Sequence, residues 1–93
     1  MAQVLSEFRL EIDRIDEKIV RLLDNRMRIV SKIAETKSSR SITVRDRERE
    51  KELLAKVTGY NHDVISSEDL TIIFKIIMRC SRSFQEDITG ERR

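Results

Sequence analysis

The sequence lacks proline and tryptophan, and its 93 residues include only two glycines, one cysteine, one histidine, three phenylalanines and one tyrosine. Because proline and glycine are the strongest helix breakers, their scarcity permits long uninterrupted helices. A single cysteine excludes an intrachain disulfide, and one cysteine with one histidine is too few for a transition-metal site. So few aromatic residues predict no base-stacking platform for nucleic acid.

The sequence also lacks a large excess of positive or negative charge, and it lacks long apolar runs. The 19 Lys and Arg nearly balance the 17 Asp and Glu, which leaves a net charge of +2 with interleaved signs. Nucleic-acid-binding proteins usually have a larger, clustered basic excess. No apolar run approaches the roughly 20 residues of a membrane span, and the N-terminus lacks the features of a signal peptide. We therefore predict one cytoplasmic domain, residues 1–93, with no membrane or nucleic-acid partner.

A long amphipathic helix is predicted from about residue 5 to about residue 37, because apolar residues recur there at alternating steps of three and four. A loop over residues 38–45 should follow, since that segment has weaker helix formers and no periodicity. The apolar stripe of the helix contains Leu5, Phe8, Ile12, Ile15, Ile19, Leu22, Ile29 and Ile33, with Arg26 at one of its positions.

Two shorter helices are predicted after this loop. Asp46 is a good N-cap for the second helix, and Gly59 is a natural residue to end it. Ser66 and Asp69 form a variant of the capping box at the start of the third helix. The predicted bounds are about 46–58 for the second helix, 59–65 for the loop and about 66–88 for the third helix, before a frayed C-terminus. The third helix should bury an apolar face of Leu70, Ile73, Ile77, Cys80, Phe84 and Ile88.

The length of the first helix predicts a dimer. A helix of 33 residues is about 50 Å long, whereas a compact globule of this size is roughly 32 Å across. The helix must overhang its own domain, and its apolar stripe continues along the overhang. An identical subunit packed antiparallel would cover it. We therefore predict an all-α intertwined homodimer of three-helix chains; the alternative, a hinged helix in a monomer, has no glycine or proline to supply the hinge.

Two cations stand out on the first helix. Arg26 occupies a position in the apolar stripe, where an unpaired guanidinium costs several kcal/mol, so it needs either an acidic partner or an anionic ligand. Lys37 follows 11 residues later, which is about three helical turns, and so points in nearly the same direction. The two long side chains could hold a small molecule between them.

The other two helices have polar residues on their inward faces as well. Asp46, Arg49 and Glu50 lie at the N-terminal end of the second helix, where the helix dipole favours anions. Ser81 and Gln85 are i, i+4 neighbours on the third helix. Each feature also has an ordinary explanation, such as a solvated ion pair or a polar surface position, and no single one identifies a reaction.

Three segments taken together resemble the all-helical (type II) chorismate mutase family. FRLEIDRIDEKIVRLLDNRMRIVSKIAETK is similar to the family's first helix, VRDREREKELL to its loop and second helix, and FKIIMRCSRSFQ to its third helix. The resemblance covers nearly the whole chain. The family often has a proline shortly before the V-x-D motif, where this sequence has Thr43.

The resemblance implies a complete set of substrate-binding residues and no cofactor. In the family pattern the arginine that matches Arg9 enters the active site from the other subunit. The position of Arg9 agrees with this, because Arg9 is 17 residues before Arg26, about 25 Å along a helix. Two side chains that far apart on one helix cannot contact the same small substrate. The implied substrate-binding set is Arg9, Arg26, Lys37, Asp46, Arg49, Glu50, Ser81 and Gln85.

The implied reaction is the pericyclic rearrangement of chorismate to prephenate in phenylalanine and tyrosine biosynthesis. The expected catalytic residues are Lys37 and Gln85 at the ether oxygen, Arg26 at a carboxylate and Glu50 at the hydroxyl. Since no dehydratase, dehydrogenase or regulatory domain is attached, a monofunctional enzyme is expected. Two alternatives stay open: an isochorismate-pyruvate lyase of the same fold, and a non-catalytic helical dimer that regulates a partner enzyme.

Overall fold

Three α-helices make up the fold. The computed structural model describes residues 1–39 and 46–90, and its helices are α1 (Ala2–Ser39), α2 (Arg47–Gly59) and α3 (Ser67–Thr89). The prediction of an all-α chain with a long, a short and a medium helix is confirmed. None of these helices has the length and apolar character needed to cross a lipid bilayer. The predictions for Thr43 and for fraying at residues 91–93 lie outside the described residues.

The N-terminal ends of α2 and α3 lie where the capping residues predicted them. The Asp46 carboxylate accepts a hydrogen bond from the backbone N–H of Arg49 at 3.0 Å. The Ser66 hydroxyl accepts one from the backbone N–H of Asp69, also at 3.0 Å. Both side chains satisfy a backbone donor that has no partner within its own helix, and both N-caps are confirmed.

The C-terminal ends differ from the prediction. α1 continues through Ser39, so the loop does not begin at residue 38. Gly59 is the last residue of α2, and Tyr60 follows in an extended conformation, so the prediction that Gly59 lies beyond the helix was wrong. The left-handed glycine cap belongs to α3 instead, where Gly90 has φ 76° and donates its N–H to the carbonyl of Glu86. Glycine tolerates this conformation because it has no Cβ.

The core lies where α3 packs against both α1 and α2. The buried apolar side chains of the described residues are Val30 and Ala34 of α1, Val57 of α2 and Met78 of α3. Ser81 and Gln85 of α3 are buried beside them. α3 therefore brings polar side chains into the centre of the protomer, between the other two helices.

The buried face of α3 is rotated from the predicted apolar face. Met78, Ser81 and Gln85 are buried, whereas the predicted positions Ile73 and Cys80 are exposed. The buried positions lie one residue further along, and one residue turns a helix by about 100°. The prediction that Cys80 is buried is wrong for this protomer, because α1 and α2 cover the neighbouring face.

The N-terminal part of α1 extends away from this core. Residues 1–25 are all exposed, and the chain measures 58 × 24 × 19 Å with a radius of gyration of 16.9 Å. A compact chain of 93 residues would have a radius of gyration of about 12 Å. Phe8, Ile12 and Ile15 of the apolar stripe each expose about half of their surface. The predicted overhang of the first helix is confirmed, and the extended shape is consistent with a dimer.

Candidate active site

A cavity of about 260 Å³ lies between the C-terminal part of α1, the start of α2 and the C-terminal half of α3. All three helices contribute side chains to its wall. The lining residues are Arg26, Val30, Ile33, Lys37, Asp46, Arg49, Glu50, Leu53, Met78, Ser81, Arg82 and Gln85. Seven of the eight predicted substrate-binding residues are in this set, and Arg9 is the exception.

α1 contributes Arg26 and Lys37 to the cavity, as their spacing predicted. Arg26 donates a hydrogen bond from Nη1 to the Ser81 hydroxyl at 2.5 Å. Burial, with a smaller contribution from the Arg49 guanidinium, lowers the pKa of Arg26. Both causes disfavour its positive charge. Among residues 1–39 and 46–90, no carboxylate forms an ion pair with Arg26, so the charge is suited to an anionic ligand.

α2 presents its first turn to the cavity. The Asp46 carboxylate is occupied as the N-cap, and the Arg49 Nη1 is 3.5 Å from the Glu52 carboxylate on the outer surface. Glu50 is half-buried and forms an ion pair with Arg82. The positive end of the helix dipole points the same way as these side chains. This end of α2 therefore combines fixed acceptors with a positive field.

α3 contributes the two buried polar side chains. The Ser81 hydroxyl accepts from Arg26 and donates to the backbone carbonyl of Ile77 at 3.0 Å, with the Met27 Sδ at 3.9 Å as a second acceptor. Gln85 Oε1 is buried and has no hydrogen-bond partner in the described part of the chain. Leaving such an atom unpaired costs about 1–3 kcal/mol. Because Oε1 is an acceptor, the contact that it lacks is one from a hydrogen-bond donor.

Arg82 is a cavity residue that the sequence reasoning missed. Its Nη1 is 2.8 Å from Glu50 Oε2, and this ion pair joins α3 to α2. In the sequence Arg82 directly follows Ser81, but Arg79 lies only three residues earlier on the same helix. Only the packing of α2 on α3 distinguishes it from its neighbours.

Arg9 lies outside the cavity. It is on the exposed part of α1, about 25 Å along the helix from Arg26. Within a single protomer, Arg9 and Arg26 cannot contact the same small molecule. The described residues also contain no group of three or more His, Cys, Asp or Glu side chains placed to hold a metal ion.

The charges of the cavity wall sum to a positive value. Four cationic side chains and two carboxylates line it, which gives 4 − 2 = +2. The four cations are Arg26, Lys37, Arg49 and Arg82, and the two carboxylates are Asp46 and Glu50. A small, doubly negative molecule with further hydrogen-bonding groups matches this wall in size, charge and polarity.

Comparisons with known proteins agree with this chemistry. The family model described as chorismate mutase type II matches residues 8–86. A chorismate mutase from Methanocaldococcus jannaschii is 30% identical over 92 residues, which are 98% of this chain and 93% of that protein. The crystal structure of chorismate mutase from Helicobacter pylori in complex with prephenate has a TM-score of 0.87 and 31% identity, and the match covers 96% of this chain and 97% of that chain.

Other relatives are longer proteins. A bifunctional chorismate mutase/prephenate dehydratase from Aquifex aeolicus is 36% identical over 88 residues, which are 90% of this chain and 24% of that protein. Two proteins of the same description from Buchnera aphidicola are 40% identical to this chain. The chain thus spans about a quarter of the length of these curated relatives.

Proposed function

The chain belongs to the type II chorismate mutase family, and from this premise we propose that it converts chorismate to prephenate. The observation that carries the proposal is the convergence of seven of the eight family site positions on one cavity with a net charge of +2. Chorismate carries two carboxylates, a hydroxyl and an ether oxygen. Each of these groups has a complementary side chain in the cavity wall or, for one carboxylate, in the proposed dimer.

The reaction requires shape and charge rather than a nucleophile. In one concerted step the carbon–oxygen bond of the ether breaks while a new carbon–carbon bond forms, and no proton or electron enters or leaves. The enzyme must hold the substrate in the folded conformation that brings the two carbons together. It must also stabilise the negative charge that develops on the ether oxygen. No cofactor takes part in this step.

Arg26 and Arg9 are proposed to bind the two carboxylates. The Arg26 guanidinium is already oriented by Ser81, whose hydroxyl is itself fixed by the Ile77 carbonyl. Ser81 would therefore act on the carboxylate through Arg26. A planar guanidinium matches a carboxylate with two parallel hydrogen bonds. The second carboxylate would take Arg9 from the partner subunit.

Lys37 and Gln85 are proposed to donate hydrogen bonds to the ether oxygen. Lys37 lines the cavity from the end of α1, and the buried Gln85 lines it from α3. The Gln85 amide is uncharged, so its contribution should not change with pH near neutrality. Lys37 provides a full positive charge where the oxyanion develops, which makes it the residue expected to contribute most to kcat.

The hydroxyl of chorismate is proposed to donate to Glu50, with the backbone near Asp46 as a second acceptor. Glu50 is half-buried in the wall, and its orientation is determined in part by Arg82. Arg49 would add positive potential at the same end of the cavity. Its effect on Arg26, whose pKa it helps to lower, supports a common field over the site.

We propose that the active form is an antiparallel homodimer. The protomer leaves Leu5, Phe8, Ile12, Ile15 and Ile19 about half exposed. Covering the remaining surface of these five side chains would contribute roughly 1 kcal/mol each, about 5 kcal/mol per protomer. An antiparallel neighbour would also bring Arg9 to the Arg26 end of the other chain.

We further propose a cytoplasmic location, consistent with the single unpaired cysteine.

The test is to mix the purified protein with chorismate and follow the loss of the diene absorbance. We expect a rate well above the spontaneous rearrangement, with prephenate as the product. A parallel assay with isochorismate distinguishes the lyase, which would release pyruvate. Absence of turnover with both substrates, in a protein that is folded and dimeric, would contradict the proposed function and favour a non-catalytic dimer.

A further inference from the structure

We propose that Arg82 is a positioning residue, which holds the Glu50 carboxylate in place to accept the substrate hydroxyl and closes the side wall of the cavity. This inference rests on the proposed function, because it concerns how Glu50 is used in that reaction. It assigns to Arg82 a role through Glu50 rather than a direct contact with the substrate.

The first support is the unusual environment of this ion pair. Arg82 Nη1 is 2.8 Å from Glu50 Oε2, and the two side chains are only 22% and 20% exposed. The ion pairs within α1 join residues one turn apart and leave 61–74% of the side-chain surface exposed. Exposed pairs of that kind contribute little, whereas removing one partner of a largely buried pair leaves the other charge poorly compensated. The link between Glu50 and Arg82 therefore constrains both side chains.

The second support is the position of the pair in the wall. Glu50, Met78 and Arg82 line the cavity, and the same three residues line a second pocket of about 330 Å³ between α2 and α3, here called the outer groove. The ion pair therefore lies between the cavity and the outer groove. Losing the Arg82 side chain would join the two spaces and admit water beside Glu50. Water there would weaken each polar contact to the substrate.

The third support is the acceptor capacity of a carboxylate. Two carboxylate oxygens offer about four lone-pair positions, so the bond from Arg82 to Oε2 does not by itself prevent Glu50 from accepting a hydroxyl. α2 packs against α3, and this pair ties the cavity end of α2 to α3. A displacement of about 1 Å in a positioned group can lower a rate by about a hundredfold. Arg82 is thus placed to set the position of the acceptor.

The experiment compares Arg82→Ala with a matched control, Arg79→Ala. Arg79 is one turn earlier on α3 and lines the outer groove without lining the cavity, so its removal takes the same charge from the same helix. We expect Arg82→Ala to lower kcat/KM by about 10- to 100-fold. Arg79→Ala should retain kcat/KM within about twofold. Arg82→Lys should recover much of the loss, because an ammonium also pairs with a carboxylate.

A double-mutant cycle with Glu50→Gln distinguishes positioning from direct binding. If Arg82 acts through Glu50, adding Arg82→Ala to Glu50→Gln should change kcat/KM little beyond Glu50→Gln alone. Multiplication of the two losses would overturn the inference and make Arg82 a direct ligand of the substrate. If Arg82→Ala does not fold, Arg82→Gln replaces it in the cycle.

Three further outcomes have defined meanings. A folded Arg82→Ala variant with the kcat/KM of the wild type would overturn the inference while leaving the proposed function intact. A loss in Arg82→Ala that Arg82→Lys does not relieve would also overturn it. A wild-type protein without mutase activity would remove the proposed function, and the inference with it.

Discussion

Mixing two inactive variants is expected to restore activity if Arg9 and Arg26 serve one site from different chains. Arg9→Ala and Arg26→Ala each remove a guanidinium that is proposed to bind a carboxylate. The loss of such charged hydrogen bonds costs about 3 kcal/mol, which corresponds to about a hundredfold in rate. Each variant alone should therefore have about 1% of the wild-type activity.

The mixture should show much higher activity than either variant alone. A cavity of 260 Å³ is about 8 Å across if treated as a sphere, whereas Arg9 and Arg26 of one chain are about 25 Å apart. In a mixed dimer, one site combines the intact Arg26 of the first chain with the intact Arg9 of the second, and the other site lacks both. Random exchange of equal amounts makes half of the dimers mixed, so about a quarter of all sites are complete.

The assay is to unfold and refold the two variants together, and separately, and to compare their rates with chorismate at equal total concentration. We expect about 25% of the wild-type rate in the mixture. Circular dichroism and sedimentation should verify that each variant is folded and dimeric. A mixture no faster than the mean of the two separate variants would refute the contribution of Arg9 across the interface.

Three further predictions follow from the cavity and from α1. Lys37→Ala should lower kcat by about a hundredfold or more with its fold intact, and near-normal turnover in steady-state kinetics would remove Lys37 from the mechanism. Burial and Arg49 lower the pKa of Arg26 in the folded state. The charge of Arg26 therefore disfavours folding at every pH below that lowered pKa. This penalty is relieved only in strongly alkaline solution, as the pH rises from the pKa of Arg26 in the folded state to its pKa in the unfolded chain. Arg26→Met should thus lower turnover at pH 7 by about a hundredfold without lowering the Tm of the ligand-free protein. A Tm several degrees lower in thermal denaturation would contradict this account. Ile15→Asp should dissociate the proposed dimer and abolish activity, whereas the control Asp13→Ala, on the opposite face of α1, should do neither. If Ile15→Asp is still a dimer in sedimentation experiments, the interface lies elsewhere.

The local features of the fold could be predicted because the sequence contains their causes. The long helix follows from its periodicity and from the absence of proline, and the N-caps Asp46 and Ser66 follow from side chains that bond their own backbone. The cations of α1 were visible because Arg26 interrupts an apolar stripe. Its spacing of 11 residues from Lys37 is about three helical turns, which places both side chains on one face.

The contacts between helices were predicted less accurately than these local features. A stripe of apolar residues reports all the contacts that a helix makes, including those to a partner, so it did not show that Met78, Ser81 and Gln85 form the buried face of α3. The pairing of Glu50 with Arg82 was missed for a related reason. In a segment as charged as RDREREKE, many ion pairs are possible, and only the packing between helices selects one.

The exposed N-terminal part of α1 affects how this helix is stabilised. An isolated helix in water is only marginally stable, because most helical stability in proteins comes from packing. Residues 2–25 have no such packing in the protomer, since every one of them is exposed. In the proposed dimer, their amide hydrogens should be protected from exchange only as far as the two chains remain together. The helix that delivers Arg9 would thus be held in shape by the neighbour that it serves.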